Sequence, residues 1–226
     1  MNTRRILFWI GFVVLLGLII WGLIAAINKQ ATQNGKEGVL PDITVADHIL
    51  GAESAPVDLV EYSDFQCPAC EAWFPLVERL LTEEGSSTIR FVYRHFPLSQ
   101  HANAIPAALA SEAASSQGYF WDMYRLLFTK HTDWEAVKDP YTVFAGYASS
   151  LGLDMQKFEA DYNDNSIRSA ISKVARGGTA AGVGSTPTFY VNGRKIDNPR
   201  SYEEFKSMVD AAVAVARSAF ASTTSK

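Results

Sequence analysis

Two cysteines, three positions apart in Cys67-Pro68-Ala69-Cys70, are the only ones in this 226-residue sequence. With no further cysteine to bridge distant segments, the fold is not a disulfide-stapled framework and has to be held by a packed apolar core. The composition permits one: 48% of residues are hydrophobic and 19% charged, the balance of a globular chain rather than a disordered one. The pair itself is then a redox couple, half of a metal site, or two inert core residues.

A second feature divides the chain. Ile6 to Ile27 is a run of 22 uncharged, mostly apolar residues. As a helix it would span roughly 33 Å, matching a hydrocarbon core of about 30 Å. Trp9 and Trp21 lie towards its ends, and Arg4 and Arg5 precede it while only Lys29 directly follows. The positive-inside bias therefore puts residues 1–5 in the cytoplasm and the bulk of the chain outside. A cleaved signal peptide is the competing reading, but its apolar core is shorter and Ile24-Ala25-Ala26-Ile27 makes a poor cleavage site. The run is read as a transmembrane signal-anchor over 6–27. Setting aside Arg4, Arg5 and Lys29 leaves 17 basic against 24 acidic residues, so nucleic-acid binding is not expected.

Residues 28–41 are polar and glycine-containing and read as a tether. Val57-Asp58-Leu59-Val60-Glu61-Tyr62 has the look of a buried strand. After the cysteines, Trp73, Phe74, Val77, Leu80 and Leu81 recur at helical spacing, with Pro75 inside the helix. Thr88 to Arg94 is a second strand. From His101 to about Arg176 the pattern is helical, with three or four helices broken near Asp139-Pro140 and Gly152. Thr188-Phe189-Tyr190-Val191 and Arg194-Lys195-Ile196 form a hairpin about Asn192-Gly193. An amphipathic helix with Ser201 as its cap and Glu204 three residues on closes the chain.

The chemistry of the pair follows from its position. A helix starting at or just after Cys67 offers unpaired N–H groups and a positive dipole end to a thiolate there, lowering its pKa from roughly 8.5. Cys70 lies one turn inside, within reach of a mixed disulfide at Cys67, and Pro68 in the first turn forfeits no hydrogen bond. A zinc site would need two further ligands, and His48, His95, His101 and His131 show no paired spacing. Ser185-Thr186-Pro187-Thr188 immediately precedes a strand and should supply the other half of the site. Its X-Pro bond could be cis or that of an ordinary strand-entry proline, and the residues alone leave both open.

Phe65-Gln66-Cys67-Pro68-Ala69-Cys70 in a β-α-β unit, a helical insertion, and then Gly184-Ser185-Thr186-Pro187-Thr188-Phe189-Tyr190-Val191-Asn192-Gly193 resemble the DsbA-like branch of the thioredoxin superfamily, in particular its membrane-anchored bacterial members. The resemblance runs from about Asp47 to Ala216 and includes Asp47-His48-Ile49-Leu50-Gly51 and Phe96-Pro97-Leu98. It implies an α/β fold, thioredoxin-like with an inserted α-helical domain: a domain over 42–221, the insertion at about 98–178, and a frayed tail from 222 to 226. It further implies that Cys67 attacks, Cys70 resolves, and the two form the redox-active disulfide. Pro187 would be cis against the pair, and the Thr186 backbone would pair with an extended substrate. Glu61, six residues before Cys67, matches a buried acid of this fold that assists proton transfer near the resolving cysteine.

Pro68 and Ala69 line the substrate side. Among the aromatics Phe65, Trp73 and Phe74, all readable as core, Phe65 is placed at the rim of a substrate groove. One departure is plain. Strongly oxidising members often carry His in the dipeptide, and Pro68-Ala69 has none, so direction stays open between oxidase and reductase or isomerase. The expected activity is disulfide formation in unfolded or partly folded exported proteins, with re-oxidation by a membrane quinone-linked partner. A tethered peptide-binding module with dispensable cysteines is the reading from a different class. No flavin, haem or nucleotide motif is visible, so no cofactor is expected, and no metal.

Overall fold

The computed structural model describes Phe12, Gly17 and residues 39–223, the side chains as far as Ala219. The apolar run over 6–27 and the tether before residue 39 lie outside the described residues, apart from Phe12 and Gly17, which are helical. Among the described residues, no helix is long and apolar enough to cross a membrane.

Five strands form one sheet: β1 (His48–Leu50), β2 (Val57–Ser63), β3 (Ile89–His95), β4 (Thr188–Val191) and β5 (Arg194–Lys195), in the order β1-β3-β2-β4-β5. β2 and β3 are parallel, paired from Val57↔Ile89 to Ser63↔His95. Their crossover is α1 (Pro68–Glu84). β4 returns antiparallel along β2, with Tyr62 opposite Thr188 and Glu61 opposite Phe189. The hairpin to β5 turns on Asn192 at φ 48° and Gly193 at φ 78°, the left-handed pair expected of a two-residue turn. β1 was not anticipated as a strand. Three residues are too few to show alternation, and it forms because it completes the β3 edge.

Side-chain alternation splits the central strands between two apolar clusters. Val57, Leu59, Ile89, Phe91 and Tyr93 face the cluster that contains both cysteines, and Val60, Tyr62, Val92 and Tyr190 face the other. Leu40 and Ile43 pack on this second cluster, and Arg94 donates to the carbonyls of Pro41 and Asp42 at 3.0 and 2.8 Å. The end of the expected tether is thus docked on the sheet. Arg94 also makes a two-pronged bond to Asp47, at 2.6 and 3.0 Å.

The segment between β3 and β4 holds six helices, not three or four: α2 (Ala104–Ser115), α3 (Phe120–Thr129), α4 (His131–Trp134), α5 (Tyr141–Ser150), α6 (Met155–Tyr162) and α7 (Asn165–Ala180). Beyond the expected breaks near Pro140 and Gly152, three were hidden in the apolar periodicity, near Gly118, Lys130 and Asp164. Gly118 takes φ 86° between α2 and α3, and the N-caps Asp154 and Asp164 start α6 and α7 by accepting from backbone N–H groups. α7 lies so close to the sheet that a Cβ on Gly178 would come within 2.7 Å of the Tyr62 ring. The last helix, α8 (Tyr202–Thr223), is capped by Ser201, whose hydroxyl accepts from Glu204 N at 3.2 Å. It runs past the predicted end near residue 221.

Candidate active site

The loop before α1 is built by Asp64. Its backbone carbonyl accepts from Cys67 N at 3.0 Å, closing a turn, and Oδ1 accepts from Gln66 N at 2.8 Å. Oδ2 binds Leu98 N at 2.9 Å and His101 Nδ1 at 2.7 Å. The next residue ties the loop to the inserted helices. Gln66 Nε2 donates to Glu135 O at 2.7 Å, and its Oε1 accepts from Asn103 N at 2.6 Å. Asn103 in turn donates through its side chain to the carbonyls of Trp134, Glu135 and Val137. Asp64, Gln66 and Asn103 were not singled out by sequence. The Asp three residues before the cysteine is a turn signal that could have been read. The partners of Gln66 lie 37 and 69 positions away and carry no local signal.

Cys67 occupies the N-cap position of α1 with extended backbone at φ −73° and ψ 121°, and Pro68 follows in the first turn. Both cysteines are thiols here, and both are buried, whereas Pro68 and Ala69 between them are exposed. Cys67 Sγ lies 3.5 Å from the carbonyl oxygen of Thr186, 119 residues away. The Thr186–Pro187 bond is cis. Pro187 and Thr186 are buried while Gly184 and Ser185 are exposed, so this turn and the Pro68-Ala69 dipeptide bring buried sulfur close to a solvent-facing surface. With Cys67 as a thiol, the buried Thr186 Oγ1 has no partner, which leaves its O–H free to donate to a thiolate at Cys67.

The two sulfurs have opposite acidities. Cys67 is pulled down to about 5, chiefly because the Cys70 thiol donates to it. Burial opposes this, and the Thr186 side chain and the N–H groups of Cys70 and Ala69 reinforce it. Cys70 is pushed well above the usual thiol range by burial, by its donation to Cys67, and by the charge of Glu61. Glu61 projects from β2 on the cysteine side of the sheet, like Leu59 two residues before it. Burial raises its carboxyl to about 7; the Ser63 hydroxyl opposes this, and the Cys67 charge adds a smaller rise. Glu61 Oε2, Ser63 Oγ, Tyr93 Oη and Tyr124 Oη are all buried without a hydrogen-bond partner. Glu61 is therefore an acid whose charged form is disfavoured by its apolar setting, within electrostatic reach of both cysteines.

Phe65 is not at a rim. It is 1% exposed and packs on Tyr93 and Phe128 at ring-centroid distances of 5.1 and 5.0 Å. Asp64 and Gln66 hold the loop so that position 65 points inward, which corrects its placement in a substrate groove. Trp73 and Phe74 are core-packed as well, against Phe189 and Phe128. Of the histidines, His101 belongs to the Asp64 anchor, and His131 lies beside Glu71 and Glu135 at 3.3 and 3.5 Å. His48 and His95 meet on Glu112, an arrangement that no spacing in the chain announces.

Residues 44–211 match the family described as Thioredoxin. The chain belongs to that family. Solved structures with the same fold include alpha-DsbA1 of Wolbachia pipientis, with a TM-score of 0.71 and 20% identity over 79% of this chain and 96% of that one. BdbD of Bacillus subtilis in its oxidised form gives 0.69 and 23%, over 79% of this chain and 100% of its own. Among curated proteins, "Na(+)/H(+) antiporter NhaA 3" of Salinispora tropica is 37% identical over 86% of this thioredoxin-family chain and 30% of its own length. The NhaA antiporter of Herminiimonas arsenicoxydans is 34% identical, over 82% of this chain and 29% of its own. The chain spans at most 30% of the length of such relatives, so their named activity describes the longer proteins.

Proposed function

We propose that this member of the thioredoxin family is an extracytoplasmic thiol–disulfide oxidoreductase that forms disulfides in exported proteins. The observation that carries it is the split acidity of the pair, with Cys67 at about 5 beside a Cys70 pushed far the other way. In the oxidised enzyme a substrate thiolate attacks Cys67 Sγ, the Cys67–Cys70 bond breaks, and Cys70 departs with the electron pair. Its high proton affinity draws a proton, which Glu61 at about 7 can deliver. A second substrate thiolate then attacks the mixed disulfide and expels Cys67 as a stable thiolate. Two electrons pass to the enzyme and the substrate leaves with a disulfide. A low-pKa leaving group speeds that release, and a stabilised reduced form makes a stronger oxidant.

The remaining assignments rest on the same geometry. The Thr186 backbone beside Cys67 would pair with an extended substrate chain, Pro187 would close the site, and Pro68 and Ala69 would form its exposed floor. Substrates would be unfolded or partly folded exported proteins with free cysteines, and a membrane redox partner would re-oxidise the pair. The apolar run at 6–27, preceded by Arg4 and Arg5, supports a single-pass anchor with the domain outside. Ion transport is not carried over from the longer relatives.

The reduction potential of the Cys67–Cys70 couple, measured against glutathione, tests direction. A value near about −120 mV supports the oxidase, and one near about −270 mV replaces it with a reductase. Cys67→Ala tests the enzyme itself: a variant that fully complements cells lacking the protein would leave only a peptide-binding module.

A further inference from the structure

A second group of reactive side chains lies beyond the redox pair. His48 comes from β1, His95 from the end of β3 and Glu112 from α2, three elements separated in sequence. Their side chains converge. His48 Nε2 lies 2.8 Å and His95 Nε2 3.0 Å from the same oxygen, Glu112 Oε1. All three donor atoms fall within 4.8 Å of one another. The side chains are 14%, 3% and 24% exposed, so the group is shielded yet open on the His48 and Glu112 side. The His48 ring stacks on Phe120 at 3.4 Å, and the His95 ring contacts Tyr93 and Phe65, which restricts both imidazoles.

We propose that His48, His95 and Glu112 form a binding site for a zinc-class divalent cation. Two imidazoles and a carboxylate are a donor set that suits zinc and its neighbours, whereas magnesium and calcium demand oxygen ligands. Bond lengths of about 2.0–2.2 Å to nitrogen and oxygen require only that the side chains part slightly to admit the ion. In the ion's absence both Nε2–H groups donate to Glu112 Oε1. With an ion bound, the Nε2 lone pairs turn to the metal and each ring carries its proton on Nδ1. One carboxylate with two neutral imidazoles leaves the site with a single negative charge, complementary to a dication. Three protein ligands leave a fourth position for water.

The site would clamp the outer strand of the sheet. β1 is three residues long and pairs only with β3, while α2 belongs to the inserted helices. An ion held by all three elements ties the sheet edge to the insertion. His95 is the β3 residue opposite Ser63, which precedes the Asp64 anchor, so the clamp lies behind the redox loop without entering it.

The test uses the full chain with Cys67 and Cys70 oxidised to the disulfide, so that no thiolate competes for metal. Zinc sulfate is titrated by calorimetry and cobalt(II) by visible absorption. One equivalent is expected to bind, with a cobalt spectrum of nitrogen and oxygen ligation. At a zinc concentration a hundredfold above Kd, Tm should rise by about 5–10 °C. His48→Asn and Glu112→Gln should each weaken binding by at least about 100-fold, while far-UV circular dichroism shows them folded. No zinc binding by the wild-type protein overturns the proposal, and so does undiminished binding in both variants. Should Glu112→Gln fail to fold, His48→Asn, at a more exposed ligand than His95, decides alone. The outcome is independent of the potential of the cysteine pair.

Discussion

Two carboxylates, Glu61 buried and Glu112 half-buried, behave in opposite ways. Among the described residues no cation pairs with Glu61, and burial lifts its carboxyl to about 7. Glu112 is only partly withdrawn from solvent, and hydrogen bonds from His48 and His95 outweigh that burial and hold it far below the ordinary carboxylate range. Burial alone does not decide a charge; the partner does. One acid is lifted to where its charge changes near neutrality, beside the cysteine pair. The protein keeps another permanently ionised where two strands and a helix meet.

The largest expected effect concerns the sulfur that shares its pocket with Glu61. At pH 7 Cys67 should be almost wholly thiolate, roughly 30-fold more than an ordinary thiol. Its alkylation rate in the reduced protein should be level above about pH 6 and half-maximal at about 5. A midpoint above 8 would break the contrast between the cysteines. Next, Glu112→Ala removes the acceptor shared by two imidazoles, one of them fully buried, and should cost about 2–3 kcal/mol in urea unfolding at pH 7. An unchanged midpoint would mean that the His–Glu cluster adds no stability.

Glu61→Gln should act with the opposite sign. A carboxyl raised from 4.5 to about 7 destabilises the fold increasingly as pH climbs between those values, and the cost is constant above. The variant should therefore match wild type below pH 4.5 and exceed it above pH 7 by up to roughly 3 kcal/mol. Equal stability at every pH would show Glu61 to be an ordinary carboxylate. The smallest change is expected from Thr186→Val, which removes a side chain that favours the Cys67 thiolate and should raise that pKa by less than about one unit. A midpoint that stays put would assign the whole shift to Cys70 and the α1 backbone.

The sequence carried what local pattern can carry. Val57 to Tyr62 reads as a strand, α1 follows from its apolar spacing, and Asn192-Gly193 announces the hairpin. Cys67 at a helix start was legible for the same reason. What escaped depends on distance in the chain. Phe65 looked free to face a groove because nothing local says that Gln66 will be pulled towards Asn103 and Glu135. The six-helix insertion was undercounted because alanine-rich stretches keep helical periodicity across a glycine break. His48 and His95, 64 and 17 residues from Glu112, share a site that only the β1–β3 pairing creates.

The pairing of β2 has one more consequence. His95, where β3 ends, sits opposite Ser63, and Thr188, where β4 begins, sits opposite Tyr62. The chain therefore leaves and re-enters the sheet on the two flanks of one strand end, roughly 10 Å apart. A handful of residues could bridge that gap, so the sheet places almost no restriction on how much polypeptide is spliced in there. A lineage could lengthen, shorten or exchange the helical segment without altering which strand pairs with which. The change would be felt where the insertion is fastened to the rest: at Gln66 and Asp64 in the loop carrying Cys67, and at His48 and His95, which meet Glu112.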